Sequence, residues 1–348
     1  MEGGGAYNRN ATMQGEVFVR TRHYLGSTIE SMLSVNGARR AITIGDLGAS
    51  QGLNSMSMID FILKKFEEKS DSPLEFLVYH EDQPSNDFVT LLETLHSDSS
   101  YLNGRDNVFS AVISKSFYER LFPSQSVDFF VSYISLHWIS KAPTVFKFPR
   151  VCHLQKGLIS LEEEDYSANK IWKEHAHNDL VRFLEFRAEE LVDNGAICIT
   201  MAGHPKQPLS TPTLCSDAIS FALKSKLISL EEAHSAVIPV YYRSIEEIRD
   251  AVACVPELHL ECIVEVPVVY HPESPNQIAD FCLAVFKPSL MNCVQRSFDE
   301  SSDEFHIRRD NVSTSITEYI RSAVAKSAPD HDFPIHYTYL SCTRIRRS

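Results

Sequence analysis

The segment 42–54 constrains the fold of this chain more than any other stretch of its sequence. An apolar run that begins at Ile42 ends at Asp46, and glycines follow at positions 48 and 52 before the pattern becomes helical. Glycine tolerates positive φ angles and lets a ligand approach the backbone, while Asp46 supplies a hydrogen-bond acceptor at the end of a strand. The segment therefore predicts a parallel strand followed by a helix whose N-terminus binds a nucleotide-like ligand. The alternative is a turn whose glycines serve packing only.

Strand-like and helical segments alternate through the first half of the chain. After a polar N-terminal arm, we predict helices over residues 18–36, 55–68 and 86–95, and strands over 41–44, 74–79, 108–113 and 127–134. The acidic pair Glu81-Asp82 follows the second of these strands. Such alternation is typical of an α/β fold with a doubly wound, mostly parallel sheet.

The second half of the chain is richer in helical patterns. We predict a helix over 166–192 with Asn194-Gly195 as its C-cap, and interrupted helices over 205–252 with a capping box at Ser244 and Glu247. Helices over 278–294 and 315–326 flank a charged loop at 299–310, and strands over 196–201, 258–270 (an edge strand) and 333–345 complete a seven-stranded sheet.

These elements predict two structural parts. Residues 1–150 and about 190–202, 258–271 and 333–346 form the α/β core in this prediction. The remaining segments, about 151–189, 203–257 and 272–332, form a helical cap.

Composition narrows the class of protein. The 348-residue chain has a formal net charge of −13 and no basic tract beyond a short arginine-rich tail, which disfavours nucleic acid as a partner. The polar N-terminus lacks a signal-peptide core, and no apolar run is long enough to span a membrane. The eight cysteines are scattered without a CxxC pair. We therefore expect a cytoplasmic protein with reduced thiols.

The predicted strands place two further polar groups at the ligand-binding edge of the sheet. Asp82 follows the second strand, where a carboxylate can accept hydrogen bonds from both ribose hydroxyls of a nucleoside, although the same acid suits a solvated turn. His137 and Trp138 follow the fourth strand, in the crevice where open α/β sheets bind ligands. The alternative to a ligand-binding role is that Trp138 fills space beneath the cap and His137 is a hydrogen-bonded histidine of the core.

Three other kinds of site are disfavoured. Trp172, His175 and His177 bring two imidazoles together, but without a thiolate or carboxylate at ligand spacing they indicate a polar helix face rather than a metal site. No G-x-S-x-G sequence occurs, which argues against a serine hydrolase. The interval from Gly48 to Asp82 exceeds the spacing of about 20 residues in a dinucleotide fingerprint, which weakens an NAD-binding interpretation.

Six motifs together resemble those of the SABATH carboxyl methyltransferases, which use S-adenosylmethionine to esterify small carboxylic acids and, in some branches, methylate ring nitrogens. Asp46–Asn54, D-L-G-A-S-Q-G-L-N, is similar to the family pattern D-L-G-C-S-S-G-P-N. The other five motifs, in the order of the family, are Tyr7–Gln14, Asp82–Phe88, Ser116–Pro123, Ser135–Ser140 and Pro239–Glu247. Beyond about residue 250 only the order of elements is similar.

The resemblance implies a role for each matching residue. Gln14 and Trp138 match the pair whose side-chain N–H groups hold the substrate carboxylate, and Ile134 and His137 match the substrate pocket. In the cofactor site, Asp82 is implied at the ribose and Ser116-Phe117 at the adenine. The full set of implied cofactor contacts is Tyr7, Gln14, Asp46, Gly48, Asn54, Asp82, Gln83, Ser116 and Phe117. The resemblance also implies a homodimer.

Four positions depart from the family pattern. The family's serine after Asn10 is Ala11, and the motif cysteine is Ala49. The aromatic residue that precedes the Ser135–Ser140 motif is Ile134, and the aromatic residue at the start of the cap helix in some plant members falls near Pro212. The last two changes favour a fatty or isoprenoid acid over an aromatic acid such as salicylate.

The predicted activity is therefore O-methylation of the carboxylate of a small lipophilic acid. An N-methyltransferase of a small heterocycle, in which His137 contacts the ring, and a non-catalytic protein that binds S-adenosylmethionine are the alternatives. The metal-binding positions of some family members are here Gln155, His234 and Val237, which are not a set of hard oxygen ligands. No metal is predicted.

Overall fold

The computed structural model describes residues 5, 8, 12–35, 40–70, 72–143, 150–152, 163–205, 210–270, 274–297, 300–326 and 333–345. The helices of these ranges are α1 (Thr12–Val35), α2 (Leu53–Lys69), α3 (Phe88–Leu95), α4 (Glu163–Glu190), α5 (Ser210–Lys224), α6 (Leu230–Ser235), α7 (Ile245–Ala253), α8 (Pro275–Met291) and α9 (Ser302–Lys326). The strands are β1 (Ala41–Leu47), β2 (Glu75–Asp82), β3 (Val108–Ser114), β4 (Val127–Tyr133), β5 (Leu191–Ala202), β6 (Leu258–Tyr270) and β7 (Phe333–Arg344). Within these ranges no helix is both long and apolar enough to cross a membrane.

The seven strands of the described chain form one sheet in the order β3-β2-β1-β4-β5-β7-β6. The first five strands of that order pair in parallel, and β7 runs antiparallel between β5 and β6. The strand order reverses between β1 and β4, and in open α/β sheets such a switch point opens a crevice at the carboxyl ends of the strands. The predicted doubly wound, mostly parallel seven-stranded sheet is confirmed, with β6 at an edge.

Apolar layers cover both faces of this sheet. On one face, α1 and α2 contribute Ile29, Ile59 and Phe66 to the core. On the other face, α4 contributes Phe183 and α7 contributes Ile248. Burying each such side chain stabilises the fold by about 1.5–3 kcal/mol relative to exposure. The two layers therefore hold the strand ends, and with them the crevice, in a fixed arrangement.

A separate apolar cluster lies in the helices that follow β5 and forms the cap. It joins α5, α6, α8 and α9, for example through Ile219, Leu283 and Ile316, and Trp138 packs against it. The predicted division of whole segments between core and cap stays a prediction. Within the segments assigned to the cap, α4 and α7 also pack on the sheet.

The prediction of Asn194-Gly195 as a helix C-cap was wrong. Helix α4 ends at Glu190, and the chain continues directly into β5. The register of β5 with β4 shifts between Val127 and Phe129, so the residues around Asn194 bulge out of the ladder. Asn194 has a φ of 58°, and a Cβ on Gly195 would lie 2.9 Å from the carbonyl oxygen of Asp128. The pair therefore serves a β-bulge, which needs the same residue types as a C-cap.

The prediction of a charged loop over 299–310 was wrong for most of its length. Helix α9 begins at Ser302 and includes the rest of that segment. Ser301 and Glu304 form a capping box in which the Ser301 hydroxyl accepts from the Glu304 amide at 3.2 Å and Glu304 Oε2 accepts from the Ser301 amide at 2.9 Å. Arg308 pairs with Glu300 at 2.8 Å and with Glu232 of α6 at 2.9 Å. These charges therefore stabilise the start of α9. The capping box predicted at Ser244 and Glu247, at the start of α7, is confirmed.

Strand β2 extends beyond the predicted residue 79 and includes both acids. Glu81 pairs with Ile113 and Asp82 with Ser114 of β3. Both acids are buried, at 0% and 8% exposure. A strand-end position that buries two carboxylates requires hydrogen-bond donors nearby, and the glycine turn supplies them.

Candidate active site

The glycine turn lies at the switch point between β1 and β4. Gly48 has a φ of 81°, and its amide donates to the carbonyl oxygen of Glu81 at 2.9 Å. A Cβ on Gly48 would lie 2.5 Å from Cβ of Ser135 and 3.7 Å from Cε1 of Phe117. Three separate segments therefore meet at this turn, and only glycine allows so close an approach.

Asp82 holds the turn from the neighbouring strand. Its Oδ2 accepts from the Ser50 amide and its Oδ1 from the Gln83 amide, each at 2.8 Å. Asn86 adds a bond of 2.7 Å from its side-chain nitrogen to the carbonyl oxygen of Ser50. The side chain of Gln83 itself is exposed. Asp82 thus lies next to the glycine turn, as the sequence predicted, with both oxygens directed by backbone amides.

Burial raises the pKa of Asp82 from its usual 3.8 to about 6, although the two amides oppose the rise. Burial also raises the pKa of Glu81, and the charge of Asp82 adds to that effect. Between pH 3.8 and about 6 the folded protein retains a proton on Asp82 that the unfolded chain has lost. This group therefore lowers the free energy of unfolding as the pH rises through that window. Above it, Asp82 is ionised and accepts strong charge-assisted hydrogen bonds.

Asp46 is held by a buried histidine that the sequence analysis missed. His80 Nδ1 lies 2.8 Å from Asp46 Oδ2, and His80 Nε2 lies 2.8 Å from the hydroxyl of Tyr101. Asp46 and His80 face each other on β1 and β2 with almost no exposed side-chain surface. The imidazole occupies one carboxylate oxygen, and the cofactor contact of Asp46 stays a prediction. The sequence signal for His80 was a lone histidine directly after the apolar run 76–79.

The N-terminal arm reaches the same turn through Asn8. The Asn8 side chain donates to the carbonyl oxygen of Gln51 at 3.0 Å and accepts from the Leu53 amide at 3.3 Å. These bonds fix the arm to the N-terminus of α2. Tyr7, which precedes Asn8 and matches a cofactor contact, lies outside the described residues.

Gln14 lies in the first turn of α1 beside the start of α2. Its side chain is buried, with 8% of the residue exposed, and its Oε1 has no hydrogen-bond partner among the described residues. A Cβ on the adjacent Gly15 would lie 3.6 Å from Oδ1 of Asn54, so the structure brings these two predicted site segments together. A buried amide oxygen without a protein partner marks a position where a ligand can donate.

Ile134, His137 and Trp138 form a wall after β4. Ile134 has a φ of 55°, and the half-buried Trp138 lies with its ring centroid 6.2 Å from that of Phe286 in the cap. His137 is nearly parallel to Tyr242 at 6.0 Å, and its Nδ1 has no hydrogen-bond partner among the described residues. The wall joins the turn to the cap, as expected for a substrate pocket between them.

His137 is neutral at physiological pH. Burial lowers the pKa of its imidazole to about 3, and the nearby positive charge of Arg243 contributes. Arg243 is itself buried and donates two bonds to the carbonyl oxygen of Ala176, at 2.7 and 3.3 Å. His137 therefore offers the pocket a neutral polar group, with no cationic charge.

Ser116 and Phe117 lie in the loop between β3 and β4. Phe117 packs edge-on against Phe183 of α4 at 5.6 Å and is next to the Gly48 turn. The following residue, Tyr118, donates from its hydroxyl to the carbonyl oxygen of Trp138 at 2.7 Å. One loop therefore contacts both the predicted adenine side and the predicted carboxylate side of the site.

Of the Trp172, His175 and His177 cluster on α4, Trp172 is fully buried, so it does not belong to the polar helix face that was predicted. His175 Nε2 lies 3.1 Å from Ser140 Oγ and 3.4 Å from Asp179. Among the described residues, no group of three or more His, Cys, Asp or Glu could hold a metal ion. Of the family's metal-binding positions, Gln155 lies outside those residues.

The residues around the turn fit S-adenosylmethionine. Each oxygen of Asp82 accepts one amide and keeps a lone pair that a ribose hydroxyl can use. Gly48 leaves the backbone open to close approach, and Phe117 offers an aromatic surface to an adenine ring. The unpartnered Oε1 of Gln14 suits the amino group of the methionine part. Acceptors for ribose hydroxyls and an aromatic face thus lie at the glycine turn, and an acceptor for an amine lies beside the start of α2.

Comparison with known proteins identifies the family of this chain. Residues 1–329 match the family model described as SAM dependent carboxyl methyltransferase. The chain is 28% identical over 321 residues to indole-3-acetate O-methyltransferase 1 of Arabidopsis thaliana, covering 86% of this chain and 80% of that protein. It is also 28% identical over 264 residues to a 3,7-dimethylxanthine N-methyltransferase of Camellia sinensis var. assamica, covering 72% and 71%.

A solved structure of loganic acid methyltransferase with S-adenosylhomocysteine has the same fold. The two structures agree over 99% of this chain and 98% of that one, with a TM-score of 0.81 and 20% sequence identity. The family match includes the glycine turn, both strand-end acids and the wall after β4. The chain therefore belongs to the SABATH family of carboxyl methyltransferases, and its cofactor is S-adenosylmethionine.

Proposed function

We propose that this protein esterifies a small lipophilic acid, and that it prefers fatty or isoprenoid acids to aromatic ones. The observation that carries the proposal is the state of the Gln14 side chain. It is a neutral, buried amide whose oxygen has no partner among the described residues, and it lies beside the start of α2, which follows the glycine turn. In this proposal its Oε1 accepts from the cofactor while its Nε2 and the indole N–H of Trp138 donate to the substrate carboxylate. The aliphatic side chain of Ile134 supports the preference for non-aromatic acids.

Neutral donors suit the chemistry of carboxyl methylation. A carboxylic acid with a pKa near 4 is already ionised at neutral pH, so the protein needs no general base. S-adenosylmethionine, when bound, supplies an electrophilic methyl group and its own leaving group. A carboxylate oxygen forms the new bond to carbon while the carbon–sulfur bond breaks, and both opposite charges disappear. A cationic clamp would stabilise the reactant charge more than the transition state.

The protein's contribution in this proposal is alignment. Two fixed donors place one carboxylate oxygen in line with the methyl carbon, and such positioning can lower a barrier by about 7–11 kcal/mol. The buried, neutral His137 and the apolar cap residues around Trp138 exclude water from the reacting atoms.

A methyl-transfer assay tests this function. Purified protein with methyl-labelled S-adenosylmethionine is offered matched acids: fatty, isoprenoid, cyclic, indolic and benzoic. We expect label in a methyl ester that mild base releases, with the highest kcat/KM on an aliphatic acid. A higher kcat/KM on indolic or benzoic acids would contradict the substrate preference alone, whereas no ester from any acid would contradict the activity.

A second candidate function is N-methylation of a small heterocycle. The likeness to a dimethylxanthine N-methyltransferase and the buried, unpartnered Nδ1 of His137 favour it, because a neutral imidazole can pair with a ring N–H or carbonyl. With a small heterocycle such as a xanthine added to the same assay, this activity would leave the label in a product that base does not release.

We also propose that the protein works in the cytoplasm as a homodimer. All eight cysteines are free thiols, which supports a reducing compartment, while the dimer rests on the family resemblance. Light scattering of the purified protein measures the oligomeric state directly.

A further inference from the structure

We infer that Arg187 and Glu190 of α4 are positioning residues that fix the loop 116–122 and thereby the Phe117 side of the cofactor pocket. The inference rests on the proposed function in one respect, since the contact of Phe117 with the adenine is itself a proposal. Neither residue lies in any of the six sequence motifs.

The two side chains hold the loop entirely through its backbone. Arg187 donates to the carbonyl oxygens of Phe117 at 2.9 Å and Glu119 at 3.0 Å. Oε1 of Glu190 accepts from the amides of Leu121 and, at 3.0 Å, Phe122. Four backbone groups of a loop without regular secondary structure are thus fixed by one acid and one base.

Arg187 and Glu190 are also fixed to each other. Arg187 Nε lies 2.7 Å from Glu190 Oε2, and its Nη2 lies 2.9 Å from Oε1. Both side chains have 0% exposure. The guanidinium lies 5.3 Å from the ring centroids of Phe130 and Phe183. The pair is therefore enclosed by aromatic rings from both the sheet and the helix.

A buried ion pair of this kind is poorly explained by stability alone. Removing two charges from water costs free energy that their attraction barely offsets, and apolar residues of similar volume often stabilise a fold as well or better. The planar guanidinium contacts two carbonyl oxygens of the loop at once. A role in setting the position of the loop therefore explains the pair better.

The loop 116–122 contacts two sides of the candidate site, so its position affects both. Phe117 borders the glycine turn, while the hydroxyl of Tyr118 bonds to the carbonyl oxygen of Trp138. A shift of the Phe117 carbonyl would therefore move both walls of the crevice. Misplacement by about 1 Å can cost about a hundredfold in rate.

The chain offers a matched control in a second ion pair between the same two segments. Arg120 of the loop pairs with Glu189 of α4 at 3.0 Å, but these side chains are 44% and 45% exposed. Arg120 Nε donates to the carbonyl oxygen of Phe122 at 3.1 Å, within the loop itself. An exposed pair contributes little, so Arg120→Lys should leave the site unchanged.

A double-mutant cycle on affinity for S-adenosylhomocysteine tests the inference. Calorimetric titration is performed on the wild type, Arg187→Lys, Phe117→Ala, the double variant and Arg120→Lys. Lysine keeps the charge but cannot span the Phe117 and Glu119 carbonyls. We expect Arg187→Lys to weaken binding about tenfold when residue 117 is phenylalanine and less than about twofold when it is alanine. The reason is that Arg187 affects binding through the position of the Phe117 side chain. Glu190→Gln, expected to behave alike, replaces Arg187→Lys if the latter does not fold.

Each other outcome is decisive. If Phe117→Ala weakens binding but Arg187→Lys does not, or if the two effects add, the positioning role is overturned and the proposed cofactor contact stands. If Phe117→Ala leaves the affinity unchanged, the adenine contact is wrong and the positioning role is overturned with it. Thermal unfolding of the ligand-free variants separates a general loss of stability from a change in the site.

Discussion

Replacing Asp82 with alanine should weaken the binding of S-adenosylhomocysteine by more than about a hundredfold. Each hydrogen bond to an ionised acceptor contributes about 1.5–3 kcal/mol, and two ribose hydroxyls are proposed to bind this carboxylate. The substitution also leaves the amides of Ser50 and Gln83 without their acceptor, which loosens the glycine turn. Isothermal titration measures the loss, and Asp98→Ala, which removes an exposed acid, is the control.

The pH dependence sharpens this prediction. Because burial raises the pKa of Asp82 to about 6, the wild-type carboxylate becomes protonated below that pH and accepts more weakly. The affinity should then fall by up to about tenfold per pH unit below 6. Asp82→Asn, which cannot ionise, should show low affinity without this dependence. Binding of Asp82→Ala within about threefold of the wild type would refute the ribose assignment.

Replacing Trp138 with phenylalanine should lower kcat/KM for the acid substrate about a hundredfold while S-adenosylhomocysteine affinity changes less than about twofold. Phenylalanine retains an aromatic ring against Phe286 and the cap but lacks the indole N–H. The carboxylate then loses one of its two proposed donors and its alignment with the methyl group.

The chain contains one other tryptophan, which provides the control. Trp172 is fully buried in a small cluster with Ile139, Ala176 and Tyr241. Trp172→Phe should cost some stability while kcat/KM stays close to the wild-type value. Full activity of Trp138→Phe on the best acid of the panel would refute the carboxylate role of the indole.

The sequence predicted the fold where local patterns are unambiguous. The apolar run, acid and glycines of 42–54 specify β1, the turn and the start of α2, and the alternation of Leu258–Tyr270 specifies an edge strand. Where one local pattern is compatible with two structures, the prediction was wrong. Asn194-Gly195 suits a helix cap as well as a β-bulge, and the charges of 299–310 suit a loop as well as a capped helix.

The sequence indicated the motif residues of the candidate site but not the side chains that support them. His80 reaches Tyr101, and Arg187 reaches the carbonyl of Phe117, across intervals that no periodicity connects. Arg187 and Glu190 stand three residues apart on one helix, which read alone indicates an ordinary surface pair. Only their complete burial distinguishes them, and burial depends on how the whole chain packs.

A crystal structure with S-adenosylhomocysteine and the best acid of the panel would show how the substrate carboxylate is bound. We expect Nε2 of Gln14 and Nε1 of Trp138 each to lie about 2.7–3.2 Å from a carboxylate oxygen, with one such oxygen facing the cofactor sulfur. A carboxylate held by a cationic side chain, or turned away from the sulfur, would rule out alignment by two neutral donors.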